Sequence, residues 1–184
     1  PIINGLSDIG HPCQIMSDIL TYEESNGTIE GKKVAWLGDG NNNVSNSLIE
    51  AAGKFKFNLS IACPKKYSPN KKILSWAKKN KVNLIVTTKP EEAVKNSDCV
   101  MTDKWVSMND KVNKKVKKKI LKPFQVNKKL MSKANSDAIF MHCLPVGRGE
   151  EVTDEVIDGK QSVVWRQALN RVHAQKSIIK WCLD

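Results

Sequence analysis

Short apolar runs alternate along the chain with stretches in which apolar residues recur every three or four positions, the pattern of strands and helices winding a parallel sheet. Residues 33–37, 59–63, 82–87, 99–102 and 138–142 read as strands, with 162–165 as a short sixth. Helices are expected over 44–55, 69–80 and 90–95; in the first, Leu48, Ile49, Ala52 and Phe55 form one stripe. Pro64 stops the second strand, and Pro90 sits at a helix first turn, where its missing N–H costs nothing. The stretch 12–23 also has helical spacing, with Ile15, Ile19 and Leu20 on one side, and 167–183 reads as a closing helix. In the run 111–122, Val112, Val116 and Ile120 recur at four-residue steps among lysines, which predicts a small buried apolar stripe under a solvated lysine face. The fold class is α/β, a doubly wound, Rossmann-like parallel sheet.

Composition narrows the picture by exclusion. With 184 residues, 40% of them hydrophobic, the chain suits one compact domain. No apolar run approaches the roughly 18 residues needed to span a bilayer, and no secretory signal opens the chain. It begins at Pro1 and is expected to be a fragment of something longer. Five scattered cysteines without Cys-x-x-Cys spacing argue against disulfides and zinc and favour a reducing, cytoplasmic setting. The net charge of +11 raises nucleic acid as a partner, but Arg occurs only at 148, 166 and 171 and aromatics are 6%, so Arg forks and stacking platforms are lacking. No nucleic acid and no membrane are expected as partners.

Candidate chemistry is sought at the carboxyl ends of the strands, where open parallel sheets gather ligands. Gly38-Asp39-Gly40 followed by Asn41, Asn42 and Asn43 lacks the third glycine of a dinucleotide fingerprint. An asparagine turn offers both donors and acceptors, which suits a zwitterion, although Asn also serves turns for their own sake. Asp103 follows the fourth strand and suits a substrate ammonium or a loop cap. Cys143 follows His142; alternation along a strand would point the two to opposite faces, which disfavours a Cys-His nucleophile pair. His11-Pro12-Cys13-Gln14 opens a helix, where free N–H groups and the dipole favour an anion.

Taken in order, His11-Pro12-Cys13-Gln14, Gly38-Asp39-Gly40 with its asparagines, Asp103-x-Trp105-x-Ser107-Met108, His142-Cys143-Leu144-Pro145, Gly149-Glu150-Glu151-Val152 and Asn170-Arg171 resemble the motifs of ornithine carbamoyltransferases, from Asn4 to Leu183. The Asp-x-Trp-x-Ser-Met segment separates these from aspartate carbamoyltransferases. The resemblance implies the aspartate/ornithine carbamoyltransferase fold, with an inter-domain helix over 1–25, an ornithine-binding domain over 26–165 and a closing helix over 166–184. It implies carbamoyl transfer from carbamoyl phosphate to the δ-amine of L-ornithine, giving citrulline, in a homotrimer that needs no cofactor and no metal. His11 and Gln14 then match carbamoyl ligands, Asn43 the amino-acid end of ornithine, and Asp103, Ser107 and Met108 a loop closing over ornithine. Cys143 and Leu144 match a segment between the substrates, and Arg171 a carbamoyl phosphate ligand. As catalytic residues the resemblance implies Asp103, Cys143, Arg171 and His11.

The chain departs from the family at four points. The phosphate-gripping Ser-x-Arg-Thr-Arg segment is nowhere in the sequence, so the amino-terminal carbamoyl phosphate domain is expected to be missing and the fragment inactive alone. Asn109 stands where glycine usually follows Ser-Met, and Gly147 where histidine is common. The asparagine turn carries one more residue than in many relatives, leaving Asn42 and Asn43 both open as the ornithine ligand. Alternatives are a carbamoyltransferase for putrescine or N-acetylornithine, or a non-catalytic amino-acid-binding module.

Overall fold

The computed structural model describes residues 1–106 and 113–184. Strands β1 (Lys33–Leu37), β2 (Asn58–Ala62), β3 (Leu84–Thr87), β4 (Cys99–Thr102) and β5 (Ile139–His142) form one parallel sheet in the order β3-β2-β1-β4-β5. Val34 at the centre lies opposite Leu59 on one side and Cys99 on the other. The period of two along each strand sorts the core into two layers. Val34, Trp36, Leu59, Ile61, Cys99, Met101, Ile139 and Met141 fill one face; Ala35, Leu37, Ala62, Val100 and Phe140 fill the other.

Helices cover both faces, as a parallel sheet requires. On the first face lie α1 (Pro12–Asn26), α2 (Asn43–Phe55) and α3 (Lys71–Lys79), through Ile15, Ile19, Leu48, Ile49 and Ile73. On the second lie α4 (Pro90–Val94), α6 (Lys128–Met131) and α7 (Asp154–Ile157), through Val94, Leu130, Met131 and Ile157. Between them in sequence comes α5 (Lys114–Leu121), and α8 (Val164–Leu183) closes the chain against α1. Asparagine side chains cap four of these helices: Asn42 on α2, Asn70 on α3, Asn113 on α5 and Asn127 on α6. Each such cap contributes about 1 kcal/mol by satisfying amides that the helix cannot. No helix among the described residues is long and apolar enough to cross a membrane.

The sequence expectations hold for the sheet and differ in three places. Residues 162–165 do not make a sixth strand. Phe140 donates its N–H to Gln161 O and accepts from Val163 N–H, one bridge's worth of pairing, and the backbone then turns into α8 at Val164. The second helix starts at Lys71 rather than at Pro69, because Asn70 accepts the free N–H groups of Lys72 and Ile73. The expected apolar stripe of the lysine-rich helix is the larger difference. Val116 is 48% exposed, and the residues α5 turns inward are Lys117, at 6% exposure, and Leu121. Lys111 and Val112 lie outside the described residues.

Candidate active site

The connection from β1 leads to β2 on one side, and β4 pairs on the other, so the topological switch of the sheet lies at the carboxyl ends of β1 and β4. A cavity of about 460 Å³ opens there. It gathers His11, Gln14, Asn42, Asn43, Asp103, Cys143, Leu144 and Arg171, residues that are far apart in sequence. Ser107 and Met108 lie outside the described residues.

One wall comes from strand ends. Asp103 Oδ2 accepts from Asn42 Nδ2 (3.1 Å), and its Oδ1 accepts from the Cys143 thiol (3.0 Å) and the Lys104 N–H (2.6 Å). Asn42 is at once the cap of α2, its Oδ1 accepting from Ser45 N–H (2.7 Å), so both ends of its amide are committed. Asn43 donates to Ser7 O (2.9 Å), which ties the turn to the residues before α1. Burial and the neighbouring Asp103 carboxylate push the Cys143 thiol well above its ordinary value, which keeps it protonated and denies it the character of a thiolate nucleophile.

Alternation does not separate His142 from Cys143, because Cys143 lies past the end of β5: donor atoms of Asp103, His142 and Cys143 lie within 4.8 Å of one another. They still form no Cys-His pair. His142 Nδ1 accepts from Leu144 N–H (2.9 Å), which places its proton on Nε2, 3.3 Å from Glu151 Oε1. A cation among these three residues would have to displace that Leu144 hydrogen bond and the Cys143–Asp103 hydrogen bond.

The other wall comes from helices. Pro12 occupies the first turn of α1, behind His11. Burial, then the Arg171 guanidinium, lowers the His11 pKa, so the imidazole is neutral at pH 7. Gln14 accepts from the Arg171 guanidinium and donates Nε2–H to Asp18 Oδ1 (2.7 Å). The same Asp18 oxygen accepts from Gln167 Nε2 (2.7 Å), whose Oε1 accepts the His142 N–H (2.9 Å). Asp18 is 2% exposed, and burial raises its carboxyl to about 6. Among the described residues, His11 Nδ1, Arg171 Nε and Asp18 Oδ2 are buried without a hydrogen-bond partner. Unpaired donors and acceptors of this kind are costly in a finished core and serviceable at a ligand site.

Sequence reasoning missed Asp18, Asp39 and Lys117. Asp18 stands four residues after Gln14, hence on the same helical face, and that spacing was available to be read. Lys117 had no distinguishing signal within a run of lysines.

An open, doubly wound α/β domain that brings a carboxylate, amides, an imidazole and a guanidinium together at its switch point is a small-molecule site of the kind catalytic domains carry. Residues 30–182 match the model of the aspartate/ornithine carbamoyltransferase Asp/Orn binding domain, and the chain belongs to that family. It is 56% identical over 183 residues to an ornithine carbamoyltransferase of Rhodopseudomonas palustris, covering all of this chain and 58% of that protein. The chain thus spans under two thirds of the length of the curated relatives it matches. Among solved structures it resembles the anabolic ornithine carbamoyltransferase of Campylobacter jejuni, with a TM-score of 0.92, 38% identity, and coverage of 98% of this chain and 61% of that one. The ornithine carbamoyltransferase of Pyrococcus furiosus gives a TM-score of 0.88 at 46% identity, covering 95% of this chain and 57% of that one.

Proposed function

We propose that this chain forms the ornithine side of an ornithine carbamoyltransferase, a cytoplasmic enzyme that transfers the carbamoyl group of carbamoyl phosphate to L-ornithine. The observation that carries the reading is a single cavity with two chemically distinct walls: Asp103, Cys143 and the asparagine turn on one side, neutral His11 and Arg171 on the other. The first suits an amine and an amino-acid head, the second an anion and a developing oxyanion.

In this reading the uncharged δ-amine, favoured by desolvation, attacks the carbamoyl carbon while Asp103 orients it. Negative charge develops on the carbamoyl oxygen, where Arg171 and the His11 N–H donate. The carbon–oxygen bond to phosphate then breaks, and the amine proton leaves with the phosphate as hydrogen phosphate. Asn43 and Asn42 divide the work: Asn42 has both ends of its amide spent on the cap and on Asp103, whereas Asn43 commits its Nδ2 to Ser7 O and offers its Oδ1 to ornithine. Ser107 and Met108 complete the ornithine end, and Gln14, Cys143 and Leu144 flank the carbamoyl group.

The segments 1–25, 26–165 and 166–184 act as bridging helix, ornithine domain and closing helix, and a carbamoyl phosphate domain supplies the phosphate grip. The outer stripe of α8, with Trp165, Leu169, Val172 and Ile179 all exposed, suits cover by that domain. The complete enzyme is a homotrimer, and this chain alone is monomeric or weakly associated. The test is a chimera in which this chain replaces the matching part of the Rhodopseudomonas relative. It should carbamoylate L-ornithine and sediment as a trimer; preference for N-acetylornithine or putrescine would overturn the substrate assignment.

A further inference from the structure

A buried ion pair beside the cavity has no part in the chemistry above. Lys117 Nζ lies 2.7 Å from Asp39 Oδ2, and both side chains are under a tenth exposed. The ammonium also lies 5.3 Å from the centroid of the Tyr67 ring. Asp39 is the middle residue of the turn that leaves β1. Its other oxygen, Oδ1, accepts the Asn41 N–H (2.9 Å), and its carbonyl accepts Trp36 Nε1–H (3.0 Å). Next to it Gly40 donates its N–H to Tyr67 O (2.9 Å), and a side chain there would meet Cys63, Tyr67 and Pro69 at about 3 Å. The backbone entering the asparagine turn is therefore clamped on one side by packing and on the other by the Asp39 carboxylate.

A buried ion pair is a poor device for stability alone, since desolvation of both charges offsets most of the attraction and an apolar pair of similar volume does as well. At a cavity wall it does something an apolar pair does not. The ammonium fixes the direction of the carboxylate, and the carboxylate fixes the amide of Asn41, one residue before the cap Asn42 that holds Asp103. We propose that Lys117 is a positioning residue for amino-acid binding: through Asp39 it sets the register of Asn41, Asn42 and Asn43 toward the head group of the ligand. Because Lys117 stands on α5, this ties the geometry of the asparagine turn to the seating of a helix distant in sequence. The inference rests on the amino-acid-binding reading of the cavity.

The test is calorimetric titration of the chimera with L-norvaline, which carries the amino-acid head without the δ-amine, and separately with carbamoyl phosphate. Lys117→Met should weaken L-norvaline by about tenfold or more, the scale of a small misplacement of positioning groups. Carbamoyl phosphate should stay within about twofold, and Lys117→Arg should restore most of the loss. Should Lys117→Met fail to fold because Asp39 is left charged and buried, the double variant Asp39→Asn/Lys117→Met removes both charges and should fold yet bind L-norvaline about tenfold more weakly. Equal L-norvaline affinity in wild type and either folded variant overturns the proposal, as does an equal loss for both ligands. A wild-type chimera that binds no amino acid refutes the functional reading instead.

Discussion

The two walls of the cavity are built by opposite strategies. The strand-end wall holds its groups by local means: Asp103 is fixed by its own neighbour Lys104, by a helix cap and by the thiol of Cys143. The helical wall has a single buried carboxylate at its root. Asp18 orders the amides of Gln14 and Gln167 and, through them, Arg171 on one side and the end of β5 on the other. A wall with several independent supports should lose function by degrees. One that hangs on a single charge should lose it at once, and with a dependence on pH.

Removal of the cation that the helical wall presents is expected to have the largest effect. In the chimera, Arg171→Met should lower kcat by about 10²- to 10³-fold, the scale of one lost oxyanion donor, with L-norvaline affinity unchanged. Steady-state kinetics beside calorimetry would show whether the loss is confined to the carbamoyl side.

Asp18 comes next, and its effect is on stability. Between pH 4 and 6 the unfolded chain has lost the Asp18 proton while the native chain, with the carboxyl raised to about 6, retains it. Stability contributed by this group is thus full below pH 4 and is lost as pH rises through 6. The loss is about 3 kcal/mol, at about 1.4 kcal/mol per pH unit over the roughly two units between the two values. Asp18→Asn lacks that loss, so its stability relative to wild type should climb across the same window in urea titrations. A parallel pH profile for the two proteins would refute the assignment.

On the strand-end wall, Asp103→Asn keeps the shape and removes the charge. A loss of roughly 10- to 100-fold in kcat/KM for ornithine is expected, with carbamoyl phosphate affinity within about twofold. If both substrates weaken equally, Asp103 serves as a loop cap and no more. The smallest effect belongs to Cys143→Ser, whose hydroxyl can make the same hydrogen bond to Asp103; activity should fall by less than about tenfold. Alkylation of Cys143 in the wild type should be slow at pH 7 to 8, since the thiol titrates well above its usual range.

The same contrast explains what could be read from the sequence. The strand-end wall was legible because apolar runs mark where strands stop, and whatever follows each stop converges at one edge of a parallel sheet. Asp103, Asn43 and Cys143 are brought to the cavity by this rule, His11 and Gln14 are signalled by the start of α1, and Arg171 by resemblance alone. The helical wall's root was legible only in part: its spacing puts Asp18 on the face of Gln14, but nothing within α1 signals that α8 arrives to bury it. Lys117 inverted its expectation, since a four-residue step in valine and isoleucine outweighed the possibility that a lysine with a buried carboxylate partner faces inward. Ser162 to Trp165 misled because two valines and a tryptophan suit a strand, while the turn into α8 leaves room for a single bridge.

The joint between α1 and α8 also bears on the order of folding. Ser17 to Gln167, Thr21 to Asn170 and Glu24 to Arg166 are hydrogen-bonded across 142 to 150 positions of chain. A ribosome therefore delivers α1 well before its polar partners on α8. Until then the face of α1 that α8 buries lacks those partners, and Asp18 has the Gln14 amide but not that of Gln167. Contacts of such long range carry the full entropic cost of loop closure and slow folding accordingly. The sheet can assemble before α8 emerges, but the helical wall cannot, so a chain cut short within α8 keeps its strands and has no complete cavity.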